Sequence, residues 1–213
     1  MTFEPQRVTV VLFEGFELLD VFGPVQLLQA VPDVIVDFAG PTGEPVASSQ
    51  GVEVVPTISY EQIEQTDIIL VPGGKGTRQL VTNKSFLAWL RGVGSQAPMV
   101  AAVCTGSAVL AAAGLLEGYA ATSNKRAFAW ASSFGEAVAW QPEARWVHDR
   151  NRWTSSGVAA GMDMMVALIA HLSSEEVALA AANLAEYEPH RDSEWDPYAR
   201  LYGLASSSGD DAE

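Results

Sequence analysis

The sequence has very little cysteine, histidine and basic charge, and each shortage excludes a class of protein. Its 213 residues include one cysteine and three histidines, so an internal disulfide is impossible and no metal-ligand pattern can be recognised. Lysine and arginine number 12 against 26 aspartates and glutamates, which leaves a net charge of −14. Because such a chain repels phosphates, nucleic acid is not an expected partner.

Long apolar runs are also missing. No run approaches the roughly 18 residues that a membrane span needs, so no membrane partner is expected. No apolar targeting stretch follows a basic one at the N-terminus, and we therefore expect a cytoplasmic protein. Hydrophobic residues still make up 48% of the chain, enough for one large core. We expect a single domain over residues 1–205 and a disordered acidic tail over residues 206–213.

Buried strands alternate with helices along the chain. Apolar periodicity predicts helices over residues 83–94, 126–134 and 162–172, and Ser173 with Glu176 predicts a capping box for a further helix. This alternation predicts an α/β fold, a three-layer αβα sandwich with a mostly parallel, flavodoxin-like sheet. Runs rich in apolar and β-branched residues predict strands over residues 7–13, 34–39, 67–72, 99–103, 143–147 and 152–155, the last two flanking a turn that contains His148.

The only cysteine, Cys104, lies where a predicted strand ends and a predicted helix begins. The free N–H groups and the positive dipole end of a helix favour a thiolate at such a junction. A lone cysteine in an apolar run is also commonly just a small buried hydrophobe. The residues at the neighbouring strand ends have to decide between the two interpretations.

Two other strand ends carry notable residues. Asp20 follows the first strand, and Gly73 and Gly74 follow the third. Each has a structural explanation, since Asp20 suits a helix N-terminus and the glycine pair suits a turn. Ligands of such sheets bind at the carboxyl ends of the strands, so convergence of all three features at one edge favours a functional site with Cys104 as its nucleophile.

Four stretches, in this order, carry a resemblance to a known family. They are Leu-Leu-Asp-Val-Phe-Gly-Pro at 18–24, Val-Pro-Gly-Gly-Lys-Gly at 71–76, Cys-Thr-Gly at 104–106 and Thr-Ser-Ser-Gly-Val-Ala-Ala-Gly-Met-Asp at 154–163. From about residue 7 to 187 the chain resembles the ThiJ/PfpI superfamily, which has the class I glutamine-amidotransferase-like fold. Within that superfamily it resembles the isonitrile hydratases.

The resemblance implies a role for each site residue. Cys104 matches the nucleophile of the elbow, Asp20 matches the acid beside it, and Thr105 matches a residue that hydrogen-bonds in the site. The backbone N–H groups of Thr105 and Gly74, with Gly73 alongside, would form an oxyanion-type pocket. The family likeness further implies a small-molecule substrate, no cofactor, no metal and a homodimer with the site near its interface.

The chain departs from its relatives at two positions. Thr105 stands where the protease-like members have histidine, so no Cys-His pair can form there. Asn124 stands where many relatives have histidine, which leaves the role of that position open. Phe22, Trp130 and Met162 are candidates for the pocket or the dimer interface, with core packing as the alternative. His148, His171 and His190 are expected to be structural or solvated.

Three functions stay open at this point. A hydratase would add Cys104 to an isonitrile carbon, form a thioimidate and use Asp20 as general acid and base. This requires a lowered pKa of the thiol beside a carboxyl of raised pKa. A glyoxalase- or deglycase-like enzyme would use the same cysteine on reactive carbonyls, and a non-enzymatic redox or stress protein would oxidise it to a sulfinate. The last two usually carry glutamate in place of Asp20.

Overall fold

The structure is a computed structural model that describes residues 6–205, so the predicted acidic tail, residues 206–213, lies outside the described residues. Apolar, β-branched segments form the strands, as their sequence pattern predicts. The strands are β1 (Arg7–Val11), β2 (Ile35–Gly40), β3 (Val46–Ala47), β4 (Glu53–Val54), β5 (Ile58–Ser59), β6 (Ile68–Val71), β7 (Met99–Ala102), β8 (Ala120–Ala121), β9 (Ala139–Trp140), β10 (Trp146–Asp149) and β11 (Arg152–Ser155).

The helices vary from one turn to four. Short 3₁₀ turns occupy Tyr60–Gln62 and Lys125–Ala127. The α-helices are α1 (Leu18–Leu28), α2 (Thr77–Leu80), α3 (Lys84–Gln96), α4 (Gly106–Ala112), α5 (Phe128–Ala131), α6 (Ala159–Leu172), α7 (Glu175–Leu184) and α8 (Pro197–Leu201). Within residues 6–205 no helix combines the length and the apolar character that crossing a lipid bilayer requires.

Seven strands form the main sheet in the order β10-β11-β7-β6-β1-β2-β5. Every neighbouring pair is parallel except β10 and β11, which form an antiparallel hairpin at one edge. The carboxyl ends of β1, β6 and β7 therefore meet at one edge of the sheet, because these three strands are neighbours. Gly73 and Cys104 lie two residues after the ends of β6 and β7, and Asp20 lies in the first turn of α1, the helix that follows β1.

Helices flank the sheet in two groups. Helices α1, α6 and α7 pack against one another, and α4 packs against α2 and α3. The centre of the sheet is fully buried, including all four residues of β6, and it joins both groups in one hydrophobic core within the described chain. The predicted three-layer α/β sandwich with a mostly parallel sheet is confirmed.

Several local predictions are wrong. The helix predicted over residues 126–134 is a 3₁₀ turn followed by the single turn α5. The strand predicted to end at residue 147 runs to Asp149, so His148 lies in β10 and the turn forms at Arg150, which has φ +56°. Ser173 ends α6, and the cap of α7 is Ser174, whose hydroxyl accepts from the Val177 N–H.

Candidate active site

Cys104 occupies a strained turn between β7 and α4. Its φ is +59°, in the left-handed region that non-glycine residues rarely adopt. The backbone bonds hold it there: its N–H is shared between the carbonyls of Ser155 and Ser156, at 3.2 and 3.1 Å. Its carbonyl accepts the hydroxyls of Ser107 and Ser123, both at 3.0 Å. Such over-determined strain is typical of a nucleophile elbow, where it aims the side chain at a site.

Asp20 brings a carboxyl to the same edge from the first turn of α1. It is fully buried at 0% exposure. Its Oδ2 accepts the Gly73 N–H at 2.8 Å, whereas its Oδ1 is a buried oxygen without a hydrogen-bond partner of normal geometry among the described residues. Gly73 has to be glycine here, because a Cβ would lie 2.7 Å from the Thr105 nitrogen and 2.8 Å from Asp20 Oδ2.

Burial raises the pKa of Asp20 to about 7 from an ordinary 3.8. Removal of the carboxylate from water is the largest cause, and the negative charge of Glu17 adds to it. The hydrogen bond from Gly73 and a weaker one from the Cys104 thiol act in the opposite direction. Asp20 is therefore a carboxyl that can hold a proton near neutral pH, as an acid catalyst requires.

The thiol of Cys104 differs from the expectation of a lowered pKa. Burial raises its pKa, and the neighbouring Asp20 charge raises it further. The N–H groups of Thr105 and Val158 and the side-chain amide of Asn124 donate toward the sulfur and lower the pKa, but they do not outweigh burial. Burial therefore favours the protonated thiol of Cys104 over the thiolate.

The glycine N–H groups are engaged by side chains. Gly74 N–H donates to Thr105 Oγ1 at 3.2 Å, and Gly73 N–H donates to Asp20. The Thr105 and Thr77 hydroxyls lie 3.2 Å apart, and the Thr77 hydroxyl also donates to the Gly74 carbonyl at 2.7 Å. The Gly74 N–H is thus engaged by Thr105 in this arrangement, and the oxyanion-type pocket stays a prediction. The Thr105 side chain connects the loop of Gly73 and Gly74 to the Cys104 turn by hydrogen bonds, and Gly73 in turn donates to Asp20.

Asn124 is a site residue to which sequence reasoning assigned no role. Its Oδ1 accepts the Ala127 N–H at 3.1 Å, so the opposite end of the amide, Nδ2, is left to donate to Cys104. Gly157 makes room for it, since a Cβ there would lie 2.5 Å from Nδ2. A neutral amide thus contacts the sulfur at this position. The only signal in the sequence for Asn124 was its position at the end of the Ala-Thr-Ser-Asn stretch, residues 121–124.

Arg78 and Trp130 form a second contact that the sequence did not predict. The Arg78 guanidinium carbon lies 3.3 Å from the centre of the Trp130 ring, in a cation–π arrangement. Partial burial lowers the pKa of Arg78, and a negative charge on Cys104 would act in the opposite direction. Trp130 is also partly buried against the hydrophobic core, so core packing accounts for it and its place in a pocket stays a prediction.

The other two pocket candidates occupy α1 and α6. Met162 packs against Gly23, where a Cβ would meet its side chain at 2.8 Å. Phe22 is 38% exposed and its ring lies 5.8 Å from that of Phe38. Met162 thus contributes to the packing of α1 on α6. Phe22 remains a candidate for the pocket or the dimer interface.

The three histidines lie outside the contacts of Cys104 and Asp20. His148 stacks on Trp153 with ring centres 3.9 Å apart, and His171 lies against both rings. The His190 N–H donates to Asp163 at 2.7 Å, so this residue is tied to the domain and not freely solvated. Among residues 6–205, no group of three or more histidine, cysteine or acidic side chains is placed to hold a metal ion.

A cysteine on a left-handed strand-to-helix turn, with a buried carboxyl from the neighbouring strand end, defines an α/β protein with a nucleophile elbow. The model of the DJ-1/PfpI family matches residues 6–171. Isonitrile hydratase of Pseudomonas putida is 35% identical over 183 residues, which are 86% of this chain and 79% of that protein. The chain belongs to the DJ-1/PfpI family.

Further relatives show how variable this family is. The HTH-type transcriptional regulator GbdR of Pseudomonas aeruginosa is 30% identical over 88% of this chain, which spans about half, 52%, of the regulator. A crystal structure of a ThiJ/PfpI family protein from Pseudomonas syringae has a TM-score of 0.82 and 28% identity, covering 94% of this chain and 85% of that one. Enzyme and regulator names thus occur on one fold, so function has to be argued from the site.

Proposed function

We propose that this protein is an isonitrile hydratase-type enzyme, converting an isonitrile and water into an N-substituted formamide. The observation that carries the proposal is Asp20, a buried carboxyl with a pKa raised to about 7 beside the Cys104 thiol. An isonitrile carbon needs a nucleophile and a proton together, and this pair supplies both at neutral pH. The similarity to an isonitrile hydratase supports the same assignment.

In the first half of the reaction, Sγ of Cys104 forms a bond to the isonitrile carbon while protonated Asp20 delivers a proton to that carbon. The thiol proton passes to the Asp20 carboxylate, so the net change is addition of S–H and the product is a thioimidate. Asn124, Thr105 N–H and Val158 N–H stabilise the developing thiolate, since all three lower the pKa of Cys104. No histidine base is needed.

In the second half, Asp20 orients a water molecule toward the thioimidate carbon. The oxygen bonds to carbon, the C–S bond breaks, sulfur regains a proton and the substrate nitrogen takes the other. One water is consumed and the formamide leaves. The raised pKa of Asp20 suits both halves, because a group that titrates near pH 7 gives and takes protons readily.

The decisive experiment supplies cyclohexyl isocyanide and measures N-cyclohexylformamide by chromatography and mass spectrometry. We expect product from the native protein and at least a hundredfold less from Cys104→Ala and from Asp20→Asn. Asp33→Asn, at an exposed position, is the matched control and keeps the native rate. Absence of product from the native protein, or undiminished product from Cys104→Ala, refutes the proposal. Methylglyoxal consumption that depends on Cys104 would indicate the glyoxalase-like alternative instead.

The redox alternative is less well supported by the site. Peroxide reacts with the thiolate form of cysteine. Burial and the neighbouring Asp20 raise the pKa of Cys104, which reduces the thiolate fraction. Intact mass after mild peroxide treatment distinguishes the two. A rapid gain of two oxygens on Cys104 without isonitrile turnover would favour the redox function.

We also propose a homodimer in the cytoplasm, with a small-molecule substrate and no nucleic-acid partner. Leu19 and Phe22 flank Asp20 on α1 and are 44% and 38% exposed, an apolar surface beside the site that a second copy would cover. The net charge of −14 does not suit nucleic acid. Light scattering at micromolar concentration tests the dimer, and Phe22→Glu should shift it toward monomer.

A further inference from the structure

One side of the site is formed by a run of four consecutive residues, 122–125. Two of its side chains bond to the nucleophile: the Ser123 hydroxyl donates to the Cys104 carbonyl at 3.0 Å, and the Asn124 amide donates toward Sγ. The first and last side chains of the run bond to the loop that precedes β10. The run therefore joins the Cys104 turn to that loop.

Lys125, the last residue of the run, is a buried lysine with 3% exposure. Its Nζ donates to Thr122 Oγ1 at 2.7 Å and to the Ala144 carbonyl, and it lies 5.5 Å from the centre of the Phe128 ring. Burial lowers the pKa of Lys125 to about 8, against the opposing charge of Asp196. Because lysine is rarely buried so completely, this placement calls for a reason beyond ordinary packing.

A second asparagine–lysine pair in the chain shows that capping is not the reason. Asn83 and Asn124 each cap a turn by accepting the N–H of the residue three positions on, at 3.1 Å in both cases. A lysine follows each asparagine as the first residue of the helical segment. Lys84 is exposed, whereas Lys125 is buried. The local geometry of the cap therefore does not require a buried lysine.

The two capped segments differ in how much they support themselves. Helix α3 has 13 residues and its own ladder of hydrogen bonds, whereas the segment after Asn124 is a 3₁₀ turn of three residues. Such a short turn has few internal bonds of poor geometry, so its position has to come from contacts with other segments. The bond from Lys125 to the Ala144 carbonyl is such a contact, one residue away from the amide that meets the sulfur.

We propose that Lys125 is a positioning residue for the Cys104 thiol: its ammonium group fixes the turn that presents the Asn124 amide to Sγ. Without this anchor the amide loses its fixed orientation, and the developing thiolate loses one of its three donors. This role applies to any electrophile that Cys104 attacks, and it therefore goes beyond the isonitrile assignment.

The test is a double-mutant cycle on the alkylation of Cys104 by iodoacetamide at pH 8, followed by intact mass. Asn124→Leu should slow alkylation about tenfold or more, since the loss of one hydrogen bond to a charged group has effects of this size. Lys125→Met should slow it roughly threefold or more, because the same bond is weakened. The double variant should be no slower than Asn124→Leu alone, since both substitutions act through one amide.

Lys84→Met is the matched control, because it makes the same change beside the same kind of cap at an exposed position. It should keep the native rate of alkylation. Circular dichroism checks the fold of each variant. If Lys125→Met does not fold, Thr122→Val removes an acceptor of the ammonium instead, and it should show the same slowing and the same coupling to Asn124→Leu.

The Asn124 amide can also be observed directly in ¹⁵N–¹H spectra, in which Asn124→Leu identifies its two protons. Lys125→Met should move these signals and speed their exchange with water, whereas Lys84→Met should not. Alkylation of folded Lys125→Met at the native rate, effects that multiply in the double variant, or unchanged amide signals would each overturn the proposal. Neither measurement uses an isonitrile, so the positioning role and the hydratase function stand or fall separately.

Discussion

Replacing Asp20 with asparagine should remove a pH-dependent penalty from the folded state. The substitution is nearly isosteric, and the asparagine Oδ1 can keep the bond from the Gly73 N–H that Asp20 Oδ2 accepts at 2.8 Å. Its amide has no charge to desolvate. The native side chain, in contrast, is fully buried and has a pKa raised from 3.8 to about 7.

The sign follows from proton binding. Between pH 3.8 and about 7 the folded protein holds the Asp20 proton while the unfolded chain has released it. Stability from this group is therefore present below pH 3.8 and is lost as the pH rises through 7. The full effect is on the order of 4 kcal/mol, and roughly 2 to 3 kcal/mol of it falls between pH 5 and pH 8.

Urea unfolding of native protein and Asp20→Asn at pH 5 and pH 8 measures this directly. Titrating groups that do not interact with Asp20 contribute equally to both proteins and cancel in the difference. We expect the native protein to lose about 2 to 3 kcal/mol more than the variant over that range. Identical losses in the two proteins would refute the reasoning, because they would mean that Asp20 is ionised throughout.

The remaining predictions concern the same site and its support. Formamide production should fall as the pH rises through about 7, since Asp20 loses the proton that it delivers; a flat profile from pH 6 to 8.5 would contradict its acid role. Gly73→Ala should lower kcat at least a hundredfold while circular dichroism stays native, because its Cβ would lie 2.7 Å from the Thr105 nitrogen. Asn124→Asp should slow iodoacetamide alkylation of the thiol several-fold at pH 8, since a second negative charge raises its pKa further, and unchanged labelling would exclude contact with the sulfur. Arg145→Met should lower the free energy of unfolding by about 3 to 5 kcal/mol in urea, because it removes the cation that pairs with the buried Asp163 carboxylate.

Local pattern predicted most of the scaffold. Parallel strands buried on both faces are continuous apolar runs, and the run at residues 68–71 is such a case. The segments that failed have weak or mixed patterns. The stretch at residues 126–134 contains aromatic residues at helical spacing, but Arg78 stacks on Trp130 and the chain makes only one α-helical turn there.

The Cys104 turn could be located from the sequence because its signal is local: a strand ends, a cysteine follows and a helix begins. The convergence of Asp20 and Gly73 on it also followed once a parallel sheet was assumed, since neighbouring strand ends share an edge. The protonation states of Cys104 and Asp20 could not be predicted from the sequence. The pKa values of Asp20 and Cys104 are raised chiefly by burial, which depends on how α1, α4 and α6 pack together.

The sequence by itself therefore determined the sheet and the position of the elbow, and it predicted Cys104 and Asp20 as nucleophile and acid. Only the tertiary structure decided that burial raises the pKa of the Cys104 thiol and that Asn124 donates to it. The reason is physical. Hydrophobic periodicity and turn chemistry act between residues close in the chain, whereas desolvation arises from segments that are distant in the chain and meet only in the folded protein.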